Sequence, residues 1–223
     1  MSQRRIFVGR CALLAVMAVC SLHCAITQPV RVLEPHQVAA LGSLGGAIIP
    51  FSGIDIPLPY LNLGAAYGLS DQVTLTGTLH ATSTFYKTIG LDAGAAVRVF
   101  AQHDVVPEVT AKGLVYLFAG TRSGGVRVFP MVTVNGSWRL GSWLAYVGAD
   151  NLYQVQDPLY LVSPFVGTEF PLGGAWRGQV EVKWIAANRD TRHGVFEGEA
   201  SLGGNGNAGL YFGAQYLFAG GTP

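Results

Sequence analysis

The chain has 223 residues, the length of one domain, and it combines 50% hydrophobic with only 12% charged residues, against roughly 25% charged residues in an average soluble domain. Its net charge of +1, without a basic run, gives no electrostatic reason to expect a nucleic-acid partner. Beyond the amino terminus no run of about 18 uninterrupted apolar residues occurs, so a spanning helix does not explain this hydrophobicity. Because the chain is rich in Gly, Thr, Val, Tyr and Phe, we predict an all-β domain.

The amino terminus has the order of a secretory signal, with three arginines before an apolar segment over residues 11–22. This segment is too short to span a membrane comfortably. We therefore predict a signal peptide over residues 1–24, export from the cytoplasm, and a flexible tether over residues 25–35.

All three cysteines, Cys11, Cys20 and Cys24, lie in this leader, so the exported domain would have no internal disulfide. Cys24 follows the apolar segment and resembles the lipidated cysteine of bacterial lipoproteins, which makes it a candidate lipidation site. The flanking residues differ from that family's pattern, because Ser21 stands where the family has Leu and His23 where it has Gly or Ala. The alternative is an ordinary cleaved signal with a cysteine near its end.

The rest of the chain alternates between apolar and polar residues in short segments separated by turn-forming residues. The clearest segment covers residues 73–82, where Val73 and Leu75 share one face of a strand and a row of threonines with His80 forms the other. Pro164 interrupts the eighth segment, so we expect a β-bulge there. In chain order, the ten predicted strands cover residues 36–49, 60–69, 73–82, 91–99, 106–118, 126–140, 143–153, 160–170, 176–184 and 208–218.

The last of these strands has one apolar, aromatic face and one face of glycine, tyrosine and glutamine. It resembles the closing strand of bacterial outer-membrane β-barrels, which usually ends on an aromatic residue; here residues 219–223 follow as a short tail. The resemblance implies that this strand pairs with the first one, over residues 36–49, and that its apolar face contacts lipid. The predicted lipid-facing residues of the closing strand are Leu210, Phe212, Ala214, Tyr216 and Phe218.

Two features of the whole chain favour a membrane barrel over a soluble β-domain. Longer connections alternate with tight turns, as expected for external loops and periplasmic turns. Charged residues lie opposite the aliphatic face of each strand, which a lipid-facing band requires because a Lys or Arg at the bilayer midplane costs about 2–4 kcal/mol. We predict a single antiparallel up-and-down transmembrane β-barrel of about ten strands over residues 36–218, located in the outer membrane. Its implied partners are outer-membrane lipid and the barrel assembly machinery.

The polar face of the strands would line the lumen, and its charges balance in sign. Because barrels of about eight strands are filled by side chains and open channels need about 16 or more, we expect paired charges rather than a wide pore. The small inner residues leave open a narrow path for small solutes; they are Gly64, Ala66, Gly68, Gly148 and Gly167. The charges predicted to line the lumen are Asp92, Arg98, Glu108, Lys112, Arg139, Asp150, Glu169, Arg177, Glu181 and Lys183.

One cluster on the lumen face has the residue types of a catalytic site: His80 near a strand end, Ser83 beside it and Asp92 on the next strand. Such residues can serve as base, nucleophile and orienting group. Their spacing matches no pattern typical of outer-membrane hydrolases, so we expect a polar histidine rather than a catalytic one. No pair of His, Cys or carboxylate residues has metal-ligand spacing, and we predict neither a metal nor a cofactor.

Together these features predict a non-enzymatic outer-membrane protein of structural or surface-interaction type, with a lumen largely filled by paired charges and with its loops as the working part. One alternative is a narrow small-solute channel or an outer-membrane lipid-modifying enzyme on the same scaffold. Another is a secreted soluble barrel that binds an apolar ligand, in which the two faces of every strand would be inverted.

Overall fold

The computed structural model describes residues 28–51, 54–122, 125–156, 158–190 and 204–218. The predicted signal peptide over residues 1–24, the candidate lipidation site Cys24 and the predicted tail over residues 219–223 lie outside these described residues. In the described part of the chain, no helix is long and apolar enough to cross a membrane.

Most of the described chain is antiparallel strand, as the alternating pattern predicts. The strands are β1 (Val38–Phe51), β2 (Ile54–Pro57), β3 (Tyr60–Gly68), β4 (Val73–His80), β5 (Thr88–Phe100), β6 (Glu108–Gly120), β7 (Val126–Leu140), β8 (Trp143–Gln154), β9 (Leu159–Gly173), β10 (Trp176–Asp190) and β11 (Asn205–Leu217). A 3-10 turn, η1 (Ala81–Tyr86), connects β4 to β5. The predicted all-β class is confirmed.

Ten of the strands form a closed barrel, and β2 lies outside it, paired with the end of β1. Consecutive strands pair along the chain, and β11 returns to β1 with a register that runs from Ala39 opposite Leu217 to Ala47 opposite Gly209. The predicted pairing of the last strand with the first is therefore confirmed. Closure removes the row of unpaired backbone N–H and C=O groups that an open sheet edge would present to lipid.

The connections define two ends of the barrel. The turn end has the connections over residues 69–72, 101–107, 141–142 and 174–175, together with the start of β1 and the end of β11. The loop end has β2, η1, the ends of β6, β8 and β10, and the starts of β7, β9 and β11.

The predicted alternation of long loops and tight turns holds only in part. The connection over residues 101–107 at the turn end is longer than those over residues 121–125 and 155–158 at the loop end. One reason is that β6 and β7 continue as a paired ladder into the predicted loop, where Ala119 still lies opposite Val126. Residues that were predicted to form a loop therefore belong to the strands, and the loop itself is shorter than predicted.

Apolar side chains cover the outside of the barrel. Val182 is 49% exposed, whereas Glu181 and Lys183 beside it are 5% and 3% exposed and point into the lumen. Phe212 and Phe218 of β11 and its extension are likewise exposed, which is the orientation that a lipid-facing surface requires. Further outward side chains of this kind are Leu63, Leu75, Leu91, Val97, Val115, Val132, Val147 and Val166.

Aromatic rings concentrate at the turn end of this outer surface. Trp143 stacks on Phe170 with ring centres 5.2 Å apart. Trp176 packs edge-on against Tyr216 at 5.0 Å, and Tyr216 packs against Phe218 at 4.9 Å. Amphipathic rings of this kind favour the boundary between lipid and water.

The β-bulge expected at Pro164 is not there. β9 pairs with β8 in regular register through Pro164, which lies opposite Ala149. The irregularity is on the next strand: the β9–β10 ladder ends at Phe165 opposite Lys183, and Ala186 has a φ of 52°. Because β10 leaves the ladder there, the proline interrupts no regular pairing between β9 and β10.

Candidate functional site: the barrel lumen

An ionic cluster lies inside the barrel between β7, β8 and β10. Lys183 forms a salt bridge with Asp150, and its Nζ lies 3.2 Å from Glu181 Oε1. Thr133, directly opposite Asp150 in the ladder, donates a 2.6 Å hydrogen bond to Asp150 Oδ1. All four residues are buried. Charges removed from water need partners of this kind, and the register of adjacent strands supplies them.

Aromatic and amide side chains surround the ionic cluster. Gln179 donates to the Tyr146 hydroxyl at 2.7 Å, and Tyr146 donates to Glu181 Oε2 at 3.2 Å. Lys183 Nζ lies 5.1 Å from the centre of the Phe165 ring, within cation–π range. The lysine therefore has both carboxylate and ring contacts.

Glycines on the inner face make room for these groups. A side chain at Gly148 would collide with the Phe165 ring, and one at Gly167 would collide with Tyr146. At Gly64 the space is taken by Thr78 and the neighbouring backbone. The glycines therefore accommodate packed groups rather than an open path.

Lys112 on β6 is also buried beside the ionic cluster. It lines a cavity of about 20 Å³ together with Gln28, Asp150, Glu181 and Lys183. A cavity of this size has room for about one water molecule.

His80 and Asp92 form a separate buried pair on β4 and β5, with His80 Nε2 3.0 Å from Asp92 Oδ2 and both side chains fully enclosed. The rings of Tyr60, Tyr116 and Phe118 surround the imidazole, with ring centres 5.8, 5.6 and 5.0 Å away. The pair is therefore an interior polar contact inside an aromatic shell.

Ser83 does not complete a catalytic triad with this pair. Its Oγ donates to two backbone carbonyls, His80 O at 2.7 Å and Thr88 O at 2.9 Å. These bonds hold the turn η1 against the end of the barrel. In this geometry the Ser83 hydroxyl is engaged with the backbone.

The loop side of the lumen is filled by apolar side chains. We call the larger group, from β3, β6 and β7, the aromatic cluster; Phe118 and Phe129 lie within it at 6.0 Å in an edge-to-face arrangement. Its members are Tyr60, Leu114, Tyr116, Phe118, Phe129 and Met131. A second group on β1, β9, β10 and β11 comprises Ala47, Leu161, Ile185, Ala186 and Tyr211.

The chain before β1 enters the lumen from the turn end. Val30 and Leu33 of this lumenal segment, residues 28–37, are buried. Asn135 on β7 donates to Val30 O at 3.1 Å, and Leu33 N donates to Thr74 Oγ1 at 2.7 Å. The expectation of a flexible tether is therefore wrong for the described part of residues 25–35. The sequence signal was the apolar run around Arg31, which is unusual for a solvated linker.

Arg31 fixes the lumenal segment through its guanidinium. Nε donates to Ser137 Oγ at 2.9 Å, and Nη2 donates to Ser137 O at 3.0 Å and to Gln102 Oε1 at 2.6 Å. Nη1 lies 3.6 Å from Glu108 Oε2. The charge predicted at Glu108 is therefore balanced by a residue that sequence reasoning assigned to the tether.

The ten predicted lumen charges fall into several groups rather than one network. Asp150, Glu181 and Lys183 belong to the ionic cluster, Lys112 lies beside it, and Asp92 pairs with His80. The remaining predicted charges lie toward the turn end. Glu108 lies beside Arg31, and Arg98 lies 3.8 Å from the exposed Asp71. Glu169 accepts a 2.9 Å hydrogen bond from Gln215, while Arg139 and Arg177 line a cavity.

This turn-end cavity has a volume of about 210 Å³. The lumenal segment forms one side, and inner residues of β7 to β11 form the other, among them Arg139, Glu169, Arg177 and Gln215. Over the described ranges, no group of three or more His, Cys, Asp or Glu side chains is arranged to hold a metal ion.

Comparison with solved structures finds bacterial outer-membrane barrels. The translocator domain of the autotransporter NalP from Neisseria meningitidis matches with a TM-score of 0.50 at 12% sequence identity, over 94% of this chain and 98% of that one. The chain folds as an outer-membrane β-barrel. The outer membrane protease OmpT from Escherichia coli matches with a TM-score of 0.37 at 11% identity, over 85% of this chain and 100% of that one. OprG from Pseudomonas aeruginosa matches with a TM-score of 0.33 at 9% identity, over 85% and 99%.

At these identities the likeness is one of fold. No protein-family model and no curated protein sequence matches the chain. The closed barrel and its apolar exterior make the outer membrane the location of this protein.

Proposed function

We propose that this outer-membrane barrel is a non-enzymatic, non-conducting protein of structural or surface-interaction type. The observation that carries the proposal is the filling of the lumen by three successive groups: the aromatic cluster on the loop side, the ionic cluster, and the lumenal segment at the turn end. A barrel of ten strands is close in width to those whose interiors are filled by side chains. These contents support a lumen without a water-filled channel.

The sizes of the cavities support the same proposal. The cavity in the ionic cluster measures about 20 Å³ and the turn-end cavity about 210 Å³. Met131 is the one member of the aromatic cluster that lines one of these two cavities, the smaller one. Neither cavity therefore provides a route through the loop side of the lumen.

The non-enzymatic part of the proposal is supported by the surroundings of His80. The imidazole and Asp92 are enclosed by aromatic rings, and the nearby hydroxyl of Ser83 is directed to backbone carbonyls. A general base must lie within hydrogen-bond reach of the proton it removes. Enclosure of the imidazole by this shell therefore supports a structural role for the His80–Asp92 pair.

The surface-interaction part is supported by the loop end. Phe85, on the turn η1, is 85% exposed, and Ile54 on β2 is 64% exposed. Large apolar side chains held outward at a barrel end are suited to contact a partner or the outer leaflet.

Ion conductance in planar bilayers tests the proposal. The folded barrel, identified by heat-modifiable migration on a detergent gel, should give no current steps above protein-free bilayers in potassium chloride. A matched variant, Phe118→Ala with Phe129→Ala, shows whether loosening the aromatic cluster creates conductance that the assay detects. Regular current steps from the wild-type barrel would overturn the non-conducting assignment.

Incubation with phospholipid and peptide substrates tests the non-enzymatic assignment separately. We expect no turnover by the wild-type barrel. Turnover that the substitution His80→Gln abolishes would show that the His80–Asp92 pair is catalytic.

A further inference from the structure

Two arginines project into the turn-end cavity without close carboxylates. Arg139 lies on β7 and Arg177 on β10, and both line the cavity of about 210 Å³. Among the described residues, no carboxylate oxygen lies within 4.0 Å of either guanidinium. Each guanidinium has five N–H donors in a planar fork, so the cavity presents donors that the protein does not engage in ion pairs.

Two neighbouring charges, Glu169 and Arg31, are already engaged. Glu169, which lies in the same wall, is buried and accepts a 2.9 Å hydrogen bond from Gln215. Arg31, in the opposite wall, bonds Ser137 and Gln102 and lies near Glu108. Glu34 also lines the cavity, so the lining has three arginines and two carboxylates. Among the described residues, Arg139 and Arg177 are the two arginines of this lining that form no salt bridge.

The strand register explains why these groups converge. Arg177 lies opposite Gln215 on β11, and Glu169 lies on β9 beside them on the same inner face. Arg139 lies opposite Leu144 on β8, and Leu144 in turn lies opposite Glu169 on β9. The docked lumenal segment closes the remaining side, so the cavity exists only while that segment stays in the lumen.

We propose that this cavity binds a small oxyanion, a phosphate or carboxylate group, between Arg139 and Arg177 at the turn end of the barrel. Guanidinium forks match the paired acceptor oxygens of these groups and bind them through charge-assisted hydrogen bonds. On the scale on which about 10–15 Å³ holds one water molecule, this cavity of about 210 Å³ has room for a group of phosphate size. The site does not depend on whether the barrel conducts, because its mouth is at the turn end.

Calorimetric titration of the folded barrel in detergent tests the site. Inorganic phosphate and succinate are titrated separately into chloride buffer at constant ionic strength, and we expect saturable binding of at least one of them to one site. Arg139→Gln and Arg177→Gln should each weaken binding about tenfold, because each removes charge-assisted hydrogen bonds. Absence of saturable binding by both probes overturns the proposal.

The matched control is Arg98→Gln. Arg98 is an inner arginine at the same end, but it pairs with Asp71 and does not line the cavity. This variant should bind the probe as the wild type does, whereas the double variant of Arg139 and Arg177 should not bind it. A double variant that binds like the wild type contradicts the site.

Chemical labelling of the wild type gives the answer if the variants do not fold. An arginine-directed dicarbonyl reagent, read by mass spectrometry, should label Arg139 and Arg177 more slowly in the presence of phosphate or succinate and leave the labelling of Arg98 unchanged. Equal labelling with and without both anions refutes binding. The phosphate group could come from free phosphate or from a lipid headgroup. The same labelling in phosphatidylcholine vesicles, with and without phosphatidylglycerol, distinguishes them, because an anionic headgroup in the site would slow the labelling of Arg139 and Arg177 without added phosphate.

Discussion

On the loop side of the lumen, rings and aliphatic side chains from the barrel strands pack directly against one another, whereas on the turn side a backbone segment from outside the barrel fills the space through hydrogen bonds. The loop side resembles the core of a soluble protein, where contact depends on shape. The turn side depends on polar partners, Arg31 above all, and retains a cavity of about 210 Å³. The ionic cluster separates the two.

This difference predicts different responses to substitution. Loss of a ring from a packed core leaves a void that its neighbours fill only partly. Loss of a hydrogen bond at the turn end can be offset in part by water, which has access there. Substitutions on the loop side should therefore lower the free energy of unfolding more than those on the turn side. A substitution in the ionic cluster, which separates the two sides, should lower it most.

The largest effect is expected at the boundary. Lys183→Met removes the buried cation and leaves Asp150 and Glu181 without their shared partner, so the free energy of unfolding should fall by about 5 kcal/mol. Urea titration of the barrel in micelles measures it. The same change at the exposed Lys87 is the control. Equal unfolding midpoints for the two variants would show that the ionic cluster does not stabilise the barrel.

The next effect is expected in the aromatic cluster. Phe129 is 1% exposed and packs against Phe118, so Phe129→Ala should lower the free energy of unfolding by about 4 kcal/mol. Val132→Ala on the same strand removes an outward side chain and should cost far less. If both substitutions cost the same, the loop side of the lumen is not packed as a core.

A smaller effect is expected at the turn end. Arg31→Gln removes hydrogen bonds from a charged group to Ser137 and Gln102, and should cost about 2 kcal/mol. Limited proteolysis should then cut the lumenal segment faster, while ion conductance stays absent because the aromatic cluster is intact. Conductance in this variant would mean that the lumenal segment alone closes the barrel. Arg98→Gln, at the same end, should leave the proteolysis rate unchanged.

The smallest effect is expected at Ser83. Ser83→Ala removes hydrogen bonds to His80 O and Thr88 O, and should lower the free energy of unfolding by about 1 kcal/mol. Thermal unfolding, followed by migration on a detergent gel, measures this change. A loss of several kcal/mol would show that η1 supports the loop side of the lumen far more than its two hydrogen bonds indicate.

Strand alternation carried most of the correct prediction of the fold. Val182 lies outward and Glu181 and Lys183 inward, as their parity in the sequence requires. The pairing of β11 with β1 was implied by the resemblance of the last strand to the closing strands of outer-membrane barrels, and closure of the sheet is its physical reason. The prediction of a bulge at Pro164 was wrong. Whether a proline disturbs β9 depends on where its neighbour β10 leaves the ladder, which the sequence of β9 does not show.

For the candidate site, the sequence placed the charged residues on the inner face but could not assign their partners. Arg31 and Ser137 form a hydrogen bond although they are 106 positions apart in the sequence, and no local pattern connects them. The same limit applies to Gly148 and Gly167, whose missing side chains indicated open space. Their space is occupied by Phe165 and Tyr146 from neighbouring strands.

The sequence alone determined the strands, their two faces and the lipid-facing exterior, since the period of two is set within each strand and needs no information about the rest of the chain. Only the tertiary structure decided what fills the lumen, which charges pair, and that the segment before β1 docks inside. Those contacts depend on closure, because a barrel brings side chains from distant strands and from outside the sheet into one enclosed volume.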